Sequence, residues 1–65
     1  MNVIINDQEK EVNGKTVDDV MREMKLDRRK IVVELNKVII KKEEFAQQKI
    51  QDHDRIEIVT IVGGG

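Results

Sequence analysis

The chain has 65 residues with 12 Lys+Arg against 13 Asp+Glu, a formal net charge of −1. That balance lacks the basic excess of a nucleic-acid binder and the attraction needed for an anionic membrane surface. With no cysteine and Phe45 as the single aromatic residue, the chain holds no disulfide, no thiolate chemistry and no platform for stacking bases.

The length allows one small domain with a thin core. No run approaches the ~20 apolar residues that span a bilayer. A small secreted domain would usually need disulfides, so the expected setting is cytoplasmic.

Val3-Ile4-Ile5 opens the chain as a β-branched run. Asn6-Asp7 is turn chemistry. Glu9-Lys10-Glu11-Val12 reads as a weak strand, whose charge suits a sheet edge. Asn13-Gly14 gives a turn signal and no phosphate-loop motif surrounds Gly14.

The clearest element is a helix. Thr16 is a good N-cap, and Asp19 is an acidic near-match to the capping box. Asp18 and Asp19 suit the first turn. Val17, Val20, Met21 and Met24 form one apolar stripe, read as core. Asp18, Arg22, Glu23 and Lys25 are expected on other faces. The helix should end near Leu26, with Asp27-Arg28-Arg29-Lys30 as a solvated connection able to steer an acidic partner.

Ile31-Val32-Val33-Glu34-Leu35 and Val38-Ile39-Ile40 flank Asn36-Lys37, a hairpin signal. Lys37 fits a type I′ turn poorly, which leaves a longer or distorted turn open. Lys41 to Gln48 should hold a short helical turn with Phe45 pointing inward. Asp52-His53-Asp54 reads as a solvated turn, and with no second histidine it makes a poor metal site. Its two aspartates lack the pocket that acid–base work requires. Ile56 to Val62 is the strongest strand.

The order is β-β-α-β-β-β. It predicts an α+β domain with one helix across a mixed sheet, and the last strand placed centrally beside the first. Residues 1–62 form this domain. Gly63-Gly64-Gly65 reads as a flexible tail, which alone is equally a linker.

The pattern resembles the ubiquitin-like β-grasp fold, and more specifically the ThiS family of sulfur carriers in thiamine biosynthesis. The resemblance covers the whole chain. It rests on Met1-Asn2-Val3-Ile4-Ile5-Asn6, on Thr16-Val17-Asp18-Asp19-Val20-Met21, and on Val32-Val33-Glu34-Leu35-Asn36 with Val38-Ile39. The most specific part is the ending from Asp54-Arg55-Ile56-Glu57-Ile58 through Val59-Thr60-Ile61-Val62 to Gly63-Gly64-Gly65. The chain departs from the family at Asn36-Lys37, often Asn-Gly; at His53-Asp54, often Gly-Asp; and at Phe45, often Trp.

The resemblance implies a carrier, itself a co-substrate rather than an enzyme. A chain without a thiol has no side chain for a persulfide, which leaves the carboxylate of Gly65 as one place for sulfur. A ThiF-like enzyme, supplying ATP and Mg²⁺, would convert that carboxylate to an acyl adenylate. Sulfur from a donor such as a cysteine desulfurase would then give a thiocarboxylate, for delivery to a ThiG-like thiazole synthase. No cofactor is expected on the chain itself. Gly63 and Gly64, lacking Cβ, would thread the partner's narrow channel.

The folded body would supply the docking surface. Alternation along the last strand puts Ile56, Ile58 and Thr60 on one face, and Glu57, Val59 and Ile61 on the other. By analogy with ubiquitin-like chains, Ile56 and Ile58 pack inward. Val59 and Ile61 then lie outward, joined by Ile4 and Val32 as a partner-binding patch. Competing readings are a carrier for molybdopterin synthesis, a ubiquitin-like protein modifier, and a plain β-grasp interaction module.

Overall fold

A computed structural model describes residues 1–61. Five strands form one mixed sheet: β1 (Asn2–Ile5), β2 (Gln8–Glu11), β3 (Ile31–Leu35), β4 (Val38–Ile40) and β5 (Arg55–Thr60), in the order β2-β1-β5-β3-β4. β5 is central, parallel to β1 and antiparallel to β3. This is the position expected from its sequence, and pairing on both edges satisfies its backbone while its outer face stays partly exposed. The edges differ in kind. β2 is exposed throughout and charged at three of its four positions, whereas β4 exposes Val38 and Ile39 at 61% and 64%. Lys37 and Lys41 bracket β4, and such lysines discourage edge-to-edge pairing.

Both hairpins close through tight two-residue turns. Ile5 faces Gln8 across one and Leu35 faces Val38 across the other. All four turn residues have positive φ: Asn6 50°, Asp7 68°, Asn36 50° and Lys37 71°. The Asn36-Lys37 turn is thus neither longer nor displaced in register. Lysine is held in a left-handed conformation that ordinarily favours glycine or asparagine.

The two turn asparagines also clamp β5 from opposite sides. Asn6 Oδ1 accepts from the Ile58 amide at 2.8 Å, and its Nδ2 donates to the Ile58 carbonyl at 3.2 Å. Asn36 Oδ1 accepts from the Arg55 amide at 3.0 Å, while the Asn36 amide donates to the Arg55 carbonyl at 2.7 Å.

Helix α1 (Val17–Glu23) starts where expected. Thr16 Oγ1 accepts from the Asp19 amide at 3.1 Å, and Asp19 Oδ2 accepts from the Thr16 amide at 3.3 Å, a reciprocal capping box. The other free amides of the first turn are also satisfied. Val17 donates to the Gln48 carbonyl at 2.9 Å and Asp18 to Phe45 at 3.0 Å, and the Val20 amide to Thr16 at 3.1 Å begins the helix's own ladder. The segment 45–48 therefore anchors the helix start.

The helix ends at Glu23, capped by Met24, short of the end expected near Leu26. Lys25 turns the chain with φ 60°, and Leu26 donates to the Met21 carbonyl at 2.9 Å. Arg28–Lys30 then form a 3-10 turn capped by Asp27.

Asp18, although off the apolar stripe, is buried. It is 8% exposed, with Arg22 Nη2 at 2.8 Å and Arg28 Nη1 at 3.2 Å. A carboxylate withdrawn from water requires such partners. Arg28, from the following turn, closes over it in a way that helical spacing does not reveal. Glu23 is also engaged, accepting from the amides of Asn13 and Gly14 at 3.0 and 2.9 Å. Gly14 is there for space: a Cβ would lie 2.6 Å from Asp19 Cβ.

The core lies between α1 and the inner sheet face. Val3, Val17, Val20, Val33, Phe45 and Ile56 are fully buried, and Met24, Leu26 and Ile58 pack at its margin. Phe45 follows a 3-10 turn at Lys42–Glu44 and points inward. Truncating so large a core side chain typically costs about 3–5 kcal/mol, a large share of the stability of a domain this size.

Candidate functional site

β5 determines where the end of the chain emerges. Among the described residues, the final hydrogen bond along this end of the chain runs from the Ile61 amide to the Lys30 carbonyl, 2.7 Å. Gly63, Gly64 and Gly65, the expected reactive tail, lie outside the described residues, as does Val62. What the structure does describe is the surface from which they continue.

On that surface Val59 and Ile61 are 56% and 47% exposed. Val59 lies directly across from Val32, which is half-buried. These three residues therefore come together at the end of β5. Ile4 shares the outer face but pairs with Arg55. Val59 lies four positions beyond Arg55, so Ile4 is displaced about 13 Å along the strand. The structure does not bring it into the Val32–Val59–Ile61 group.

Ile39 takes a place that sequence reasoning overlooked. It faces Glu34 across β3 and β4, so it shares the outer face with Val32 and Val59. The tight Asn36-Lys37 turn determines this register, and an uncertain turn left the facing of β4 open.

The polar surroundings are largely committed internally. Arg29 pairs with Asp27 at 3.0 Å. The Arg29 side chain, then its backbone amide, hold the Asp27 carboxyl down from 3.8 to about 2, and Asp27 in turn raises Arg29. Arg28 is engaged with Asp18. Of the run 28–30, Lys30 is the cation outside these ion pairs among the described residues. The run is exposed as expected, but two of its three charges are already balanced.

Ile4 borders a different feature, an open groove shared with Asp7, Glu9, His53 and Arg55. Arg55 pairs with Asp7 at 3.0 Å and exposed His53 with Asp52 at 3.3 Å. The aspartates of this turn serve the backbone. Asp52 accepts from the Asn2 amide at 2.7 Å, and Asp54 from the Gln51 amide at 2.8 Å. Among the described residues, no group of three or more His, Cys, Asp or Glu is placed to hold a metal ion. No helix among them is long and apolar enough to cross a membrane.

A central last strand, a single helix across the sheet and an apolar end to that strand agree with one family. Its model, described as the ThiS family, matches residues 3–65. The chain belongs to the ThiS family. A sulfur carrier protein ThiS of Bacillus subtilis (strain 168) is 42% identical over 50 residues, covering 77% of this chain and 76% of that protein. A thiazole synthase of Paramagnetospirillum magneticum is 38% identical over 66 residues, covering 100% of this chain and 20% of the relative. The chain thus spans about a fifth of that protein's length. The crystal structure of a thiamine biosynthesis protein (ThiS) from Geobacter metallireducens matches with a TM-score of 0.85 at 28% identity, with 100% of both chains covered. The solution structure of a thiamine biosynthesis protein from the same organism matches with a TM-score of 0.80 at 28% identity, covering 100% of this chain and 88% of the other. The fold is accordingly the ubiquitin-like β-grasp shared by these ThiS structures.

Proposed function

We propose that this ThiS-family chain is a cytoplasmic sulfur carrier of thiamine biosynthesis, and that sulfur is held at the α-carboxylate of Gly65. The observation that supports it most directly is a family match running through the folded domain and on to Gly65. The B. subtilis relative named as a sulfur carrier adds to it.

The chemistry follows from what the chain lacks. With no cysteine, it has no side chain for a persulfide. A carboxylate resists nucleophiles because its leaving group would be oxide. In the proposed sequence the Gly65 carboxylate attacks the α-phosphorus of ATP at a ThiF-like enzyme, which also supplies Mg²⁺, and pyrophosphate departs. The outer sulfur of a persulfide, furnished by a donor such as a cysteine desulfurase, then adds to the acyl carbon, and AMP leaves with its electron pair to give an acyl disulfide. A thiol attacks the donor-side sulfur of that disulfide; the thiol and the donor end as a disulfide, and the thiocarboxylate departs with the S–S electron pair. The carrier is a co-substrate throughout, and the partner enzyme holds the nucleotide. Gly63 and Gly64 present no Cβ to the channel that receives them.

A thiazole synthase is the proposed recipient. A relative of that name contains a segment similar to this entire chain, which supports a working association between the two activities. Val59, Ile61 and Val32 form the proposed contact near the tail, with Ile4 at the far end of the same face.

The test is an intact-mass measurement after co-expression with the ThiF-like enzyme and a sulfur source. Exchange of one oxygen for sulfur adds about 16 Da, and that gain is the expected result. An unchanged mass would reject the carrier reading, and isopeptide-linked species would favour a protein modifier.

A further inference from the structure

The outer sheet face contains a local conflict. Glu34 on β3 lies directly opposite Glu57 on β5, and both are half-buried. Among the described residues, neither belongs to an ion pair. Like charges directly opposed across an antiparallel pair repel and weaken the sheet. Arg55, two positions before Glu57 on the same face, gives no relief because its guanidinium is with Asp7 at 3.0 Å.

Apolar side chains border the carboxylates. Ile39 lies across from Glu34, and Val32–Val59 form the next cross-strand pair on this face. Ile61 lies beyond Val59, where β5 leads towards the tail. An enzyme that receives the tail would meet this end of the sheet first. Local rules broken without internal compensation are characteristic of functional surfaces.

We propose that this face docks the sulfur-accepting enzyme, a thiazole synthase, through an arginine or lysine inserted between Glu34 and Glu57. Apolar side chains of the partner cover Ile39, Val32 and Val59. The inference rests on the sulfur-carrier reading and adds the chemistry of the contact. A guanidinium suits two adjacent carboxylates because its planar fork donates in two directions. Covering the face removes water from the pair, so an unmatched partner would meet a strong penalty and a cationic one would relieve the repulsion. A second copy does not satisfy the site. Two-fold pairing of this face on itself would bring two carboxylate pairs together.

The test uses Glu34→Gln with Glu57→Gln, which keeps shape and removes charge, and the thiazole synthase of the same organism. Binding is titrated at several salt concentrations, and the free carrier is unfolded in urea. The expected result is an affinity lower by about tenfold or more, with weaker salt dependence, together with an unchanged or higher unfolding midpoint. Glu11→Gln, on the β2 edge, should bind as the unaltered chain does. Unchanged affinity in the double variant would overturn the proposal, as would failure of the unaltered chain to bind. A fall in the unfolding midpoint would also overturn it, because the pair would then serve the fold. Sulfur loading, read by intact mass, separates the two claims. A double variant that loads normally and binds normally rejects this docking mode and leaves the carrier reading standing. An unaltered chain that never loads rejects the carrier reading itself.

Discussion

The side-chain amide of Asn6 makes both of its hydrogen bonds to the backbone of Ile58, 2.8 Å from the Ile58 amide and 3.2 Å to its carbonyl. Asn6 thereby continues the pairing of β1 with β5 beyond the end of β1. Replacing Asn6 with glycine keeps the positive φ comfortable and removes the amide alone. We expect a loss of about 1–2 kcal/mol, the net worth of two such bonds, read from urea unfolding. An unchanged midpoint would show that water replaces the amide at no cost.

Lys37 gives the opposite expectation. At φ 71° it carries the strain of a left-handed L-residue, about 1–2 kcal/mol. Lys37→Gly relieves that strain but adds freedom to the unfolded chain, which offsets part of the gain. The net expectation is about 0.5–1 kcal/mol of stabilisation, seen as a higher urea midpoint. Asn36 must be retained in this variant because its side chain holds Arg55.

Acid should weaken the fold partly through Asp27 and Asp19. Asp27 is held at about 2, chiefly by its side-chain hydrogen bond with Arg29. Asp19 is lowered chiefly by its hydrogen bond from the Lys15 backbone amide. For a depressed carboxylate, the unfolded chain binds the proton first. Its stabilisation is therefore complete above the ordinary value near 3.8 and is lost as pH falls towards the folded value. Asp27→Asn should melt below the unaltered chain at neutral pH, and the two melting temperatures should converge as pH falls from about 4 to about 2. Parallel melting curves over that window would remove Asp27 from the account.

Val59→Asp tests whether the activating enzyme meets the same apolar patch. Val59 is 56% exposed, so the substitution should leave the urea midpoint within about 0.5 kcal/mol. Affinity for the ThiF-like activating enzyme should fall by about tenfold or more, measured by calorimetric titration. Equal affinity would place that enzyme's contact elsewhere.

Much of this arrangement was legible in the residues. Thr16 with Asp19 identified the helix start because a cap is a local hydrogen-bonding problem with few solutions. The β-branched run from Ile56 identified a strand, and pairing with β1 and β3 on its two edges made it central, although its outer face keeps Val59 exposed. Phe45 was legible as core for want of any other large aromatic. What escaped depended on contacts between distant segments. Asp18 was placed off the apolar stripe, and its burial escaped notice because Arg28 reaches it from outside the helix. Ile39 was missed because its facing depends on a turn that Lys37 obscured. The opposition of Glu34 and Glu57 is a matter of register between strands far apart in sequence. Gly63–Gly65 were singled out by composition and by resemblance, and lie outside the described residues.

The central place of β5 has a mechanical consequence. Traction applied to the chain beyond Ile61 is transmitted along β5, whose hydrogen bonds run crosswise to the pull and join it to β1 on one flank and β3 on the other. Such a load shears both ladders together instead of peeling them apart in succession. An enzyme can therefore haul on this end of the molecule while the globule behind it keeps its shape.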